Sequence, residues 1–417
     1  MKIFNRAIFA AVAALFVGLG AMAQTVTPYS MYGYGILNDN ATSAQRALGG
    51  VGYAMNGGRQ INAMNPASYA AVDSLTFLFD MGITATKLWS KDNDQSAQDF
   101  GGGLDYITML FPVHKKVGVS LGLVPFTSVG YSFGSKIENG VTSRTGSGGL
   151  NQLYIGAGVN PIKGVYVGAN VGYLFGTTIN DIYGYPGDLS SSALFERVTQ
   201  VRDFHLQFGA QYELQLHRNH KLTVGVSFAP GKALLGHAWR VNYYNIGTSS
   251  VQADTIVYTS MRNKFSLPAM WGFGLNYQWS DRLMVEADFS LQNWAKAKYS
   301  DLDENDGMLG MDNRTRFALG AQYTPKPRGN YVQRIQYRLG AYTCHDYLEI
   351  KGNNVREHGV SMGFGLPTPG GNKTVVNLGF EWKHRQAHPN PLIKEDYFNI
   401  TLGINFNERW FHKNKIE

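Results

Sequence analysis

The chain has 417 residues, among them 49 Gly, 24 Tyr, 23 Phe and 7 Trp, with only 16% charged residues and a formal net charge of +7. Beyond the N-terminus no uncharged apolar run reaches the roughly 20 residues that a membrane-crossing helix requires, which excludes a helical membrane protein. No basic run interleaved with aromatics offers a nucleic-acid face, and the single cysteine, Cys344, excludes an intramolecular disulfide.

In chain order, Lys2 and Arg6 flank the start of an apolar run from Ala7 to Gly20, and Ala21-Met22-Ala23 supplies small residues at a cleavage site. This predicts a signal peptide over 1–23 and an exported chain whose charge, without Lys2 and Arg6, is +5. No cysteine lies near that junction, so a lipid anchor is not expected. Residues 24–73 carry few charges and several apolar residues, yet show neither strand alternation nor a helical stripe. That composition is unlike a disordered tail.

From Leu75 onward the text alternates. In "LMVEADFSLQNW" Leu283, Val285, Ala287, Phe289 and Leu291 oppose Glu286, Asp288, Ser290 and Gln292; Leu378, Phe380 and Trp382 oppose Asn377, Glu381 and Lys383 in the same way. Short turns at 113–116, 160–164, 216–220, 279–282, 325–331 and 367–372 alternate with longer polar stretches near 91–100, 134–148, 179–198, 232–265, 295–312, 348–355 and 387–395. Six turns and seven loops give 14 strands with both ends on the short-turn side, the asymmetry of a transmembrane antiparallel β-barrel of the outer membrane. Strand-like "VQADTIVYTSM" inside the fourth loop keeps 16 strands open. Trp89, Trp271, Trp279, Trp294, Trp382 and Trp410 fall near strand ends, as an aromatic girdle requires, and only Trp239 falls in a loop. The barrel is expected over 74–411, with a periplasmic tail at 412–417. A barrel this wide leaves a pore unless something fills it, and residues 24–73 are expected to be that hatch.

The third strand, "KVGVSLGLVPFTSVGYSF", contains Pro125, which has no N–H to give a ladder. A local break in the wall is expected there, with Val124 and Phe126 pointing inward. Val117, Val119, Leu121 and Leu123 share parity with Val129, Tyr131 and Phe133, so no slip of register is expected.

Motif order along the chain is similar to that of the FadL-like outer-membrane transporters of long-chain fatty acids and other hydrophobic molecules. The residues that carry the likeness are "SAQRALGGVGYAM", the hatch motif Asn65-Pro66-Ala67 in "NAMNPASYAAVD", and "FSLPAMWGFGLNYQWSDRLMVEADFSLQNW"; "LIKEDYFNITLGINFNERWF" resembles members from Bacteroidota in particular. The resemblance implies a 14-stranded barrel closed by an N-terminal hatch in a Gram-negative outer membrane, with outer-membrane lipid around it. It also implies a fatty acid-like ligand that leaves sideways through the wall, or, alternatively, a non-transporting subunit of a type 9 secretion or barrel-assembly complex.

Arg240 and Arg262 are the cations expected to meet a ligand carboxylate. Glu286, Asp288, Arg338, Glu381 and Lys383 are expected to line a wet lumen. "DLDENDGMLGMD" (301–312) has Asp306 where a calcium loop wants glycine, and His217 with His220 lacks a third ligand, so neither predicts a metal site. No nucleophile elbow, phosphate loop or Cys-His pair appears, so neither an enzyme nor a cofactor is expected.

Overall fold

The computed structural model of the protein describes residues 27–92, 95–137, 140–187, 192–246, 251–300, 309–368 and 373–409. The expected signal peptide, most of the acidic stretch 301–312, Trp410 and the tail at 412–417 lie outside the described residues.

Fourteen antiparallel strands form the wall: β1 (Thr76–Asp92), β2 (Gln95–His114), β3 (Val117–Ile137), β4 (Gly140–Ile162), β5 (Val165–Pro186), β6 (Ser192–His217), β7 (His220–Ala229), β8 (Met270–Trp279), β9 (Leu283–Gln292), β10 (Arg314–Tyr323), β11 (Gln336–Ile350), β12 (Asn353–Pro367), β13 (Val375–His388) and β14 (Lys394–Arg409). Consecutive strands pair, and β14 pairs with β1 from Thr76↔Arg409 to Lys91↔Lys394, which closes the barrel. The faces sort as the alternation demands. On β9, Phe289 is 42% exposed while Glu286 and Asp288 are buried at 0% and 3%. No helix among the described residues is long and apolar enough to cross a membrane.

All six short turns fall on one rim; the one between β10 and β11 holds a one-turn helix, Tyr331–Arg334. The other rim departs from expectation. The stretches 91–100, 134–148, 179–198 and 348–355 are mostly strand, and β3 to β6 run 21 to 26 residues, about twice what a bilayer needs. Above the membrane both faces of a strand are wet, so the sequence has no reason to alternate and the strand signal fades. The 232–265 stretch contains a hairpin, Gly236–Ile246 with Gln252–Ser260, which docks on the outer half of β6. It adds no strands to the barrel, because β7 and β8 pair directly from Ala229↔Met270 down. Sixteen strands are therefore excluded and fourteen stand.

Two further expectations are corrected. Trp294 belongs to no girdle: it is fully buried against Tyr34 and Tyr347, whereas Trp89, Trp271, Trp279 and Trp382 do face outward, and Trp239 sits in the Gly236–Ile246 strand. The third strand does slip. Pro125 pairs with Asn151 and Thr127 with Leu150, so Phe126 is an extra residue, a bulge that reverses the parity beyond it. Val129 and Tyr131 are buried as a result, and Phe133 stays exposed.

The described part of the N-terminal segment, from Thr27, lies inside the barrel as short turns: Pro28–Met31, a two-residue strand Ile36–Leu37, one helical turn Ser43–Arg46, and Pro66–Ala71. Glycines on the inner wall make room for its backbone. Gly118, Gly158, Gly168 and Gly209 are register neighbours across β3 to β6. A Cβ at Gly118 would lie 2.0 Å from the Tyr69 carbonyl oxygen, one at Gly225 1.9 Å from that of Tyr53, and one at Gly340 2.0 Å from the Gly49 nitrogen. No real side chain tolerates such contacts. At Gly209 the Cβ would meet Asn65 Oδ1 at 2.0 Å. Gly209→Val is therefore expected to destabilise the protein by about 1–3 kcal/mol, read as a lower temperature for converting the folded band on a heat-modifiability gel. Gly184→Val, at a position where a Cβ meets nothing within 4 Å, is the matched control and should leave that temperature in place.

Candidate functional site

Asn65 ties the hatch to the wall. It caps the Pro66–Ala71 turn by accepting from the Ala67 N–H at 3.1 Å, and its Nδ2 donates to the carbonyls of Tyr53 at 2.7 Å and of Val226, on β7, at 3.2 Å. Pro66, at the first position of that turn, needs no N–H there, and Ala67 is fully buried. Across the lumen, two of the acidic residues expected to face inward do more than line it. Asp288 accepts the backbone N–H groups of Gly52 at 2.7 Å and Tyr53 at 3.1 Å, and Glu286 accepts that of Ala54 at 2.9 Å. Hatch donors that could not reach water are satisfied by the wall.

Above this contact the lumen holds a cavity of about 220 Å3. Its lining is ionic. Arg314 and Arg316 meet Asp39 of the hatch at 3.2 and 3.4 Å, Arg46 meets Asp105 at 3.3 Å, and Arg385 meets Glu357 at 2.6 Å with Lys383 at 3.6 Å from the same carboxylate. Burial by itself would raise the Asp39 carboxyl; the two guanidinium groups outweigh it and hold that group below its ordinary value. Glu381, expected in the lumen, accepts from Tyr342 at 2.6 Å and Asn399 at 2.8 Å, and Arg338 reaches Gln322 at 2.8 Å and Asn377 at 2.7 Å.

One side of the cavity reaches a break in the wall. The β2–β3 ladder runs from His114↔Val117 only to Ile107↔Leu123. Beyond it, the β3 edge is met by the hatch segment: Ile36 and Leu37 pair with Ser128 and Thr127, Asn38 N–H donates to the Phe126 carbonyl at 3.0 Å, and Thr27 N–H to that of Gly130 at 2.7 Å. Val124 and Phe126 both point inward, Val124 onto hatch residues Ile61, Ala63 and Tyr69, and Phe126 into a large apolar cluster at the loop end. Pro125 lines the cavity itself. In that apolar cluster Tyr34, Phe265, Trp294 and Tyr347 pack on one another and close the lumen from the loop side.

Arg240 and Arg262 are not brought to the cavity. Arg240 lies on the docked hairpin and Arg262 is exposed on the turn Met261–Asn263. Of the cations that do line it, Arg314, Arg316 and Arg385 were legible by parity: the two arginines of "RTRFALG" share a face with Ala318 and Gly320, and Arg385 shares one with Glu381 and Lys383. Asp39 carries no such mark, because the hatch has no period. No metal-holding group of His, Cys, Asp and Glu is present among the described residues, where His217 stacks edge-on with His220 and His220 bonds Tyr277.

A family model described as BamG matches residues 3–417. Among solved structures, the chain is similar to the Pseudomonas putida toluene transporter TodX (TM-score 0.60, 15% identity, covering 90% of this chain and 100% of that one). It is also similar to the Ralstonia pickettii toluene transporter TbuX (0.56, 15%, 89% and 99%) and to a Pseudomonas aeruginosa FadL homologue (0.58, 11%, 90% and 100%). At these identities the likeness is one of fold, a FadL-type barrel. No curated protein matches. Asn65→Ala removes all four hydrogen bonds of a fully buried amide, while Gln211 still serves the Tyr53 carbonyl at 3.0 Å, so it is expected to cost about 1–3 kcal/mol. Hydrogen exchange should speed up over residues 62–72 with the wall strands unchanged.

Proposed function

The chain belongs to the BamG family, and we propose that it is a closed, non-conducting barrel of the Gram-negative outer membrane that serves as a structural subunit of a larger outer-membrane assembly, of the secretion or barrel-assembly kind. One observation carries this reading. The lumen offers no continuous apolar passage among the described residues: its loop end is packed with the protein's own aromatics, its middle is ion-paired, and its turn end is filled by the hatch. A hydrophobic solute crossing this interior would have to strip paired charges of their partners, which is costly. The tall sheet above the membrane, extended by the docked hairpin, supplies a surface on which neighbours could sit.

A second reading has its own support. The break between β2 and β3 would be its lateral opening, and the proteins of similar fold include named toluene transporters. Passive uptake of a fatty acid-like or other hydrophobic molecule would then run through that gap without enzymatic chemistry.

Deletion of the gene separates the two. The structural reading expects uptake of toluene and of a long-chain fatty acid to stay unchanged, while the protein migrates on a native gel in a stoichiometric complex with other outer-membrane proteins. Loss of uptake on deletion, restored by the wild-type chain running as a monomer, sinks it. Planar-bilayer recordings of the purified protein should likewise show no stable pore-like steps.

A further inference from the structure

We propose that the turn rim of the barrel is a binding surface for anionic phospholipid of the inner leaflet, its exposed cations taking the lipid phosphates in a shell around the wall. Three observations meet here. The first is charge without an answer inside the protein. Lys115 and Lys116 stand between β2 and β3, Lys163 between β4 and β5, Arg218 between β6 and β7, Arg282 between β8 and β9, and Lys326 and Arg328 between β10 and β11, all of them exposed. None forms an ion pair among the described residues, where Lys116 Nζ reaches only the Pro161 carbonyl at 3.4 Å. Carboxylates of the same rim are taken by other cations: Asp281 by Arg59 at 3.7 Å, Glu213 by Lys221 at 3.1 Å and Asp73 by Lys373 at 3.0 Å.

The second observation is depth. The strand entering each of these five turns ends near an outward apolar side chain, Val113, Ile162, Leu216, Trp279 or Tyr323, each between 41% and 64% exposed. Such side chains belong at the edge of the hydrocarbon, so the cations just beyond them stand at headgroup level. There a Lys or Arg stem can lie along the apolar edge and carry its charge to a phosphate oxygen. The third is distribution. Five turns join ten of the fourteen strands, so the charge runs round most of the circumference instead of gathering on one face. An acidic protein surface would meet the rim over a single sector; a lipid shell meets all of it. Turns of outer-membrane barrels face the periplasm, which makes the leaflet concerned the inner one. An anionic lipid brings net attraction to such a rim, whereas a zwitterionic one offsets its phosphate with its own amine. This surface depends on the barrel standing in the membrane and not on what, if anything, passes through it.

The test reconstitutes the full-length protein in phosphatidylethanolamine vesicles and compares, by electron paramagnetic resonance, the immobilised fractions of spin-labelled phosphatidylglycerol and spin-labelled phosphatidylethanolamine. One variant combines Lys115→Gln, Lys116→Gln, Lys326→Gln and Arg328→Gln; a control combines Lys115→Arg, Lys116→Arg and Lys326→Arg. Heat modifiability shows whether each is folded; if the fourfold glutamine variant is not, its 115–116 and 326–328 halves decide separately, each expected to lower the preference. The wild type is expected to associate with phosphatidylglycerol at least threefold more strongly than with phosphatidylethanolamine. That preference should fall at least twofold in the fourfold glutamine variant, persist in the arginine control and vanish at about 0.5 M salt, where the screening length is about 4 Å. Equal association of the two lipids with the wild type, or a preference that the folded glutamine variants or the salt leave intact, overturns the proposal. A glutamine variant that keeps the preference but drops out of a native-gel complex with other outer-membrane proteins overturns it in favour of an acidic protein partner. Soluble glycerol 3-phosphate bound by the detergent-solubilised protein as tightly as phosphatidylglycerol overturns the lipid source and gives the rim to a free solute.

Discussion

Everything in this barrel depends on how closely the hatch backbone approaches the wall. A polypeptide inside a lumen must satisfy its N–H and C=O groups without a ladder of its own, and here it borrows partners from the strands around it. Asp288 and Glu286 take three consecutive hatch N–H groups, Asn65 gives its amide to a wall carbonyl, and Ser361 accepts from Gly49. Those bonds form only because the wall carries hydrogen where a side chain would otherwise stand, at Gly118, Gly209, Gly225 and Gly340. At these positions the glycines of the wall are the negative shape of its hatch.

The approach also explains why the interior is ionic. With its lower layer filled by backbone and its loop end by aromatics, the remaining space is bounded by inward positions of β10 to β14 on one side and by hatch residues on the other. Arg314 and Arg316 on the wall answer Asp39 on the hatch, and Glu395 on β14 accepts from Thr27 Oγ1 at 2.7 Å. Charges that pair across the boundary between hatch and wall fix the register of one against the other, a role in which buried ion pairs are best supported.

Much of this was written in the alternation of the strands. The number of strands, the closed order, the turn rim and the inward direction of Glu286, Asp288, Arg338, Glu381 and Lys383 follow from parity, because lipid on one face and a filled lumen on the other impose opposite chemistry on neighbouring residues. Parity is silent where that contrast disappears. The upper halves of β3 to β6 stand in water on both faces and read as loops. The hatch has no face at all, so Asp39 could not be foreseen. The bulge at Phe126 was misread for a subtler reason: Val129 and Tyr131 are apolar whichever side they take, so a reversal of parity left the pattern of letters intact.

The seam between β1 and β14 carries one more consequence. Sixteen residue pairs, Thr76↔Arg409 to Lys91↔Lys394, join the first strand of the wall to the last. Without residues 394–409 the wall would be an open curved sheet, and residues 27–73 would have no enclosed lumen to occupy. In the closed barrel that segment is surrounded on every side by strands joined at this seam. The contact between Thr27 and Glu395 joins the beginning of the described chain to its final strand, one of the two that meet at that seam.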